Sequence, residues 1–303
     1  MRLVADVGGT NTRVALTRDG TVHKDTIKSH RNDDFGHLRD VIETYVAAHP
    51  ETRIDDMVIA MAGPTDGETA RLTNRDWFVD AAAFAAHFGV ADVTLMNDLT
   101  ALGYAVPGLG DTQLKLIHAG AGPHPAHPQS LVVGIGTGFN VSPVMHFGDH
   151  VFCPSVEGGH IGLSSYVLDA MQGVGDPGSM RTVEHLFSGR GFAGFCRMAT
   201  GRPDLGGEVA IAAYGTDAEI TAAVDHYATL MGWQLRDLTM SYMPKGGFYF
   251  AGSVSRAVLS KASDKVIAVL REPCALIRHA DIPIHIIDDD LAALHGVARF
   301  SMA

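Results

Sequence analysis

Asn97-Asp98 closes an apolar run over Val93–Met96 and opens a helical one. A carboxylate at such a strand end is held against protein rather than in bulk water, where it can serve as a general base. It can equally act as the N-cap of the following helix, a role that suits Asp. A second segment, Glu157-Gly-Gly-His160-Ile-Gly162, sets an acid and an imidazole around two glycines. Backbone without Cβ atoms lets a ligand come close while both side chains point into one pocket, although a plain turn with a capping Glu has the same composition. Glu184, in Val-Glu-His-Leu-Phe-Ser-Gly, reads by itself as an exposed helix charge.

Two glycine turns complete the chemistry. Residues 3–16 run apolar, then Asp6-Val-Gly8-Gly9-Thr10-Asn11, then apolar again, the pattern of a hairpin with a polar tip. Free amides at such a tip can close on an anion, and Asp6 before it can orient a hydrated cation. Neither the GxxxxGK[ST] nor the GxGxxG spacing is present here, so the grip differs from both of those phosphate loops. The pattern recurs at 131–144, where Gly136-Thr137-Gly138 separates two apolar strands and Leu131, Val132 and Gly136 fall on Leu3, Val4 and Gly8. A third block, 246–256, is an aromatic strand running through Gly252 into a helix start.

The elements that must position these residues follow from periodicity. Strands are expected at 3–8, 12–17 and 21–27, a helix over 34–48, a buried strand at 57–61, a short helix at 81–88 stopped by Gly89, and a helix over 99–105. Pro107-Gly108 marks a lobe boundary: 1–107 forms a small N-terminal lobe and 108–290 a large one. In the large lobe a long helix spans 218–243, a last buried strand 282–287 and a closing helix 291–300.

Composition narrows the function classes. A chain of 303 residues can hold two cores, and a net charge of −11 without a Lys/Arg run argues against a nucleic-acid surface. Cys153, Cys196 and Cys274 are odd in number and widely spaced, which suggests reduced thiols in the cytoplasm and no zinc cage. His124 and His127 lie in a proline-rich loop and read as solvated residues rather than metal ligands. No apolar run is long enough to span a bilayer, and the strand at residue 3 leads us to expect neither a leader nor a DNA-binding appendage.

Two phosphate hairpins in separate halves followed by a strand–Gly–helix turn resemble the sugar kinase/Hsp70/actin plan. That resemblance implies an α/β, two-lobed, ribonuclease H-like actin/hexokinase ATPase fold, with a nucleotide and sugar cleft between lobes and the closing helix, 291–303, packing back on the first lobe. More narrowly, the sequence resembles the bacterial glucokinase family of the non-zinc type. The resemblance rests on DVGGTNTR at 6–13, NDLTA at 97–101, GIGTG at 134–138, EGGHIGL at 157–163, VEHLFSG at 183–189 and FAGSVSR at 250–256, in order over nearly the whole chain. The related repressor/kinase family continues from its acidic-Gly-His segment into a cysteine cluster, whereas this chain continues Leu163-Ser-Ser-Tyr-Val-Leu-Asp.

The resemblance implies ATP-dependent phosphorylation of the glucose 6-hydroxyl, with Asp98 as the base. It implies that Asn97, Asp98, Glu157, His160 and Glu184 bind the sugar. Gly8, Gly9, Thr10 and Asn11 would hold phosphates together with Gly136, Thr137 and Gly138. Asp6 would orient Mg²⁺ through water, Gly252 would let adenosine lie against backbone, and the protein would be a homodimer. Phe139-Asn140, Pro143 and Ser253 depart from the family's commoner small residues and glycine. Other readings are a kinase for another hexose or amino sugar, a sugar-sensing protein without catalysis, and a chaperone-type ATPase. The last would lack the acidic sugar cluster.

Overall fold

The computed structural model describes every residue except 123–127, 149, 175–177, 179 and 302–303. The chain divides into two compact units, one of Met1–Gly110 with His150–Cys153 and Asp289–Ala303, the other of Asp111–Asp149 with Pro154–Asp288.

In the first unit, Arg2–Val7 pairs antiparallel with Asn11–Arg18 on one side and parallel with Asp56–Met61 on the other, which in turn pairs parallel with Val93–Asn97. Strands buried on both faces read as continuous apolar runs, as Leu3-Val4-Ala5 and Met57–Met61 do. One face packs on Val41, Ile42 and Tyr45 of helix Leu38–Ala47. Helix Ala292–Arg299 packs on the Arg2–Val7 strand and, more extensively, on helix Asp98–Ala105. The contact with Asp98–Ala105 is close enough that a Cβ on Gly296 would fall 1.7 Å from the Ala101 carbonyl oxygen. That contact anchors the helix whose first residue is Asp98.

The second unit repeats the arrangement. Ser130–Ile135 pairs antiparallel with Phe139–Phe147 and parallel with Gly247–Ala251, which pairs parallel with Ile284–Ile287. Strand Leu114–His118 closes the edge beside Ile284–Ile287, antiparallel to it. Helices Ala218–Tyr242 and Ser253–Leu270 pack together with Gly232 against Val269, where a Cβ would come within 2.7 Å. Tyr227 is fully buried and donates a 3.1 Å hydrogen bond to the Leu186 carbonyl, pinning the short helix Val183–Leu186 that carries Glu184.

Several expected elements shift. The strand over 21–27 is only Thr21–Val22; a 3₁₀ turn, Lys24–Thr26, interrupts it and Lys28–Arg31 resumes pairing on Asn11–Val14. The helix over 34–48 begins at Leu38, because Asn32–Asp34 forms a separate 3₁₀ turn and Asp40 closes a capping box with His37. The last strand starts at Ile284, after the 3₁₀ turn His279–Asp281. No helix among the described residues is long and apolar enough to cross a membrane.

Candidate functional site

Register places the first unit's motifs on one edge. Val7 lies opposite Met61, and Met61 opposite Asn97, so three parallel strands end together. The Gly8–Asn11 turn, Gly63 and Asn97-Asp98 all follow these C-terminal ends, the edge where open parallel sheets hold ligands. Asn97, not Asp98, is the N-cap: its Oδ1 accepts from the Leu99 amide at 2.9 Å and its Nδ2 donates to the Gly63 carbonyl at 3.1 Å. The capping role considered for Asp98 therefore falls to its neighbour, and Asp98 is the first helical residue.

Burial raises the Asp98 carboxyl, and the nearby charge of Asp6 raises it further, so that it reaches about 6 despite the Leu99 amide donating to it at 2.8 Å. Asp6 is itself pushed up by burial, against the opposing pull of the Arg13 guanidinium 3.4 Å away. A carboxyl raised by burial and by a second acid at a strand edge suits a proton-accepting site.

The Gly8–Asn11 turn is tied through Gly8 N–H to the Asn11 carbonyl at 3.0 Å. Neither Gly8 nor Gly9 has positive φ, and an added Cβ would meet at most ordinary contacts, 3.4 Å and 3.8 Å. The fold does not require glycine at either position. Gly252 is the opposite case: φ is +96° and a Cβ would sit 2.4 Å from the Ile135 carbonyl oxygen. Its glycine is demanded by the chain's own hairpin, rather than only by a flat ligand. Gly252→Ala should therefore cost at least about 2 kcal/mol of stability, read as a lowered denaturation midpoint. An unchanged midpoint would show that the strand end relaxes around the methyl group.

In the second unit the Gly136 turn is one residue shorter than the first, since Ile135 faces Phe139 whereas Val7 faces Thr12. Gly136 N–H bonds the Gly138 carbonyl at 3.0 Å, and the Gly136 carbonyl accepts from Gly189 N–H at 2.7 Å; Thr137 is exposed at the tip. Glu184 is beside this turn. Its Oε2 accepts from Phe139 N–H at 3.1 Å, and its Oε1 lies 3.8 Å from Arg190. A Cβ on Gly159 would strike the Phe139 carbonyl oxygen at 2.3 Å and lie 3.2 Å from Glu184 Cβ. The two glycines after Glu157 thus serve close packing on the hairpin, which brings the 157–160 segment against Glu184.

Asn140, a departure from the family pattern, organises this cluster. Its Nδ2 donates to Val156 O at 2.7 Å and to Glu157 Oε2 at 3.3 Å, while its Oδ1 accepts from Gly158 N–H at 2.9 Å. Glu157 and His160 are exposed and Glu184 half-buried. Sequence reasoning missed the tie from Asn140, for which a polar residue in an otherwise apolar strand was the available signal. Ser253, a further departure, is the first residue of helix Ser253–Leu270. Among the described residues no group of three or more His, Cys, Asp or Glu could hold a metal; His124 and His127 lie outside the described residues. Cys153, Cys196 and Cys274 form no disulfide bonds.

Solved structures with the same fold define the class. A glucokinase from an Antarctic psychrotroph matches 98% of this chain and 97% of its own with a TM-score of 0.82 at 23% identity. A ROK family glucokinase from Streptomyces griseus, in complex with glucose and AMPPNP, matches 98% and 97% with a TM-score of 0.63 at 19% identity. The fold is the two-lobed α/β ATPase fold of the sugar kinases. The family model Glucokinase matches residues 3–303, and the chain belongs to that family. The glucokinase of Brucella suis biovar 1 (strain 1330) is 29% identical over 99% of this chain and 90% of its own length, and that of Chelativorans sp. (strain BNC1) is 27% identical over the same shares.

Proposed function

We propose that this chain transfers the γ-phosphoryl group of ATP to the 6-hydroxyl of glucose, with Asp98 as the base. The observation that carries this reading is Asp98 itself, a carboxylate tuned to about 6 at the strand edge that also holds the Gly8–Asn11 turn. A base titrating about one unit below neutrality is mostly ionised there, yet holds a proton far better than an ordinary carboxylate. As the O6–phosphorus bond forms and the bond to ADP breaks, the O6 proton passes to Asp98. Phosphoryl transfer otherwise needs positioning and charge neutralisation.

Amides of the Gly8–Asn11 and Gly136–Gly138 turns would hold phosphate oxygens, with adenosine near Gly252. Asn97, Glu157, His160 and Glu184 would bind sugar hydroxyls, each of which needs an acceptor for its proton. Mg²⁺ fits a donor set of this size, since it keeps several waters and takes only one or two carboxylates. Asp6 would hold it, with Arg13 as the competing partner at 3.4 Å. When bound, the ion neutralises phosphate charge. A kinase drawing on cellular ATP, with its cysteines not in disulfides, belongs in the cytoplasm, in glycolysis and carbohydrate metabolism, and family resemblance favours a homodimer.

The deciding experiment follows ADP release with a panel of hexoses and amino sugars. Glucose should give the highest kcat/KM; a preferred amino sugar, or no sugar-dependent release at all, would overturn the assignment. Gly8→Ala adds a second check. The fold tolerates it, so the denaturation midpoint should hold while KM for ATP rises at least tenfold. Unchanged KM would remove this turn from the nucleotide site.

A further inference from the structure

The Gly8–Asn11 turn is held from outside its own motif. Asn32, in the 3₁₀ turn after strand Lys28–Arg31, is fully buried. Its backbone N–H donates to the Thr10 carbonyl at 2.9 Å and its Nδ2 to the Gly8 carbonyl at 2.8 Å. Its Oδ1 accepts from the Thr12 hydroxyl at 2.8 Å, which fixes which end of the amide faces Gly8. Arg75 supplies the remaining tie: Nε donates to the Gly9 carbonyl and Nη1 to the Asn32 carbonyl, both at 3.4 Å. The guanidinium is itself held by Asp33 and lies over the Trp77 ring at 5.6 Å.

With Gly8 N–H on the Asn11 carbonyl, every carbonyl from Gly8 to Asn11 is engaged by a donor. The amides of Gly9 and Thr10 take no partner among the described residues. This is the polarity an anion site needs. A carbonyl oxygen turned toward phosphate repels it, and a flexible glycine turn would spend much of its time in that orientation.

We propose that Asn32 and Arg75 are positioning residues for the phosphate chain, holding the turn's carbonyls away so that the Gly9 and Thr10 amides face the anion. The proposal deepens the nucleotide reading above and rests on it. Neither residue touches the reacting atoms. Removing either should therefore weaken nucleotide binding and leave sugar binding alone. Asn32→Asp keeps the acceptor for Thr12 but loses the donor to Gly8, so it should not rescue.

The test is calorimetric titration with AMPPNP in the absence of sugar, beside steady-state kinetics and thermal denaturation. Asn32→Ala and Asn32→Asp should each weaken AMPPNP at least tenfold, and Arg75→Ala at least threefold. KM for glucose should stay within twofold in Arg75→Ala, a split that general loss of structure would not produce. Arg75→Ala and Asn32→Asp variants that remain folded and bind AMPPNP as the wild type does would overturn the clamp while leaving the kinase reading intact. A wild type that binds neither AMPPNP nor inorganic tripolyphosphate would overturn both, because amides oriented in this way must hold phosphate.

Discussion

Asp98→Asn should lower kcat for glucose phosphorylation by at least about two orders of magnitude while leaving KM for ATP nearly unchanged, because the amide keeps the shape of the carboxylate and cannot accept the proton. The wild-type acid limb should fall as pH drops through about 6, the value to which burial and Asp6 raise Asp98. The same variant should be more stable than the wild type at pH 8. The folded-state value lies above the ordinary carboxylate value of 3.8, so the contribution of Asp98 to stability is complete below 3.8 and is lost as pH rises through about 6. Above that range the desolvated charge costs about 3 kcal/mol, which Asn does not incur. A raised denaturation midpoint at pH 8 that disappears at pH 4, together with lost turnover, is the joint signature expected of a tuned base. Near-normal turnover would move the base elsewhere.

Glu157→Gln and His160→Ala should each raise KM for glucose at least tenfold, with AMPPNP affinity in the absence of sugar unchanged. Both side chains are exposed in the second unit, so their loss leaves no buried orphan. What is lost is a hydrogen bond of about 1.5–3 kcal/mol to a charged or strongly polar group, enough for a change of that size. Glu184→Gln separates two roles, since its Oε2 also accepts from Phe139 N–H. The amide oxygen can keep that bond, so hairpin stability should persist while glucose KM rises. Variants that bind glucose normally but lose AMPPNP would assign the cluster to the nucleotide instead.

The residues of the candidate site were legible in the sequence, whereas several of the reasons for them were not. Gly8 and Gly252 look alike as letters in glycine turns. Only the backbone shows that Gly252 is required at φ +96°, with Ile135 in the way of any Cβ, while Gly8 is free of such demands. Asn140 read as an irregularity, yet it ties Glu157 and Gly158 to the hairpin. Asn32 gave no signal because it sits among acidic residues that resemble a helix start; its partners, Gly8, Thr10 and Thr12, are brought to it by strand pairing.

By itself the sequence determined the duplicated hairpin, the family and the ordered set of polar motifs, since apolar periodicity and glycine placement are local properties of the chain. The tertiary structure decided which carbonyls of the turn are turned away, which glycines are steric necessities, that Asn97 rather than Asp98 caps the helix, and that Asp98 titrates near 6. These depend on desolvation and on contacts between residues distant in sequence. Both arise only when strand ends are brought into register and water is excluded from between them.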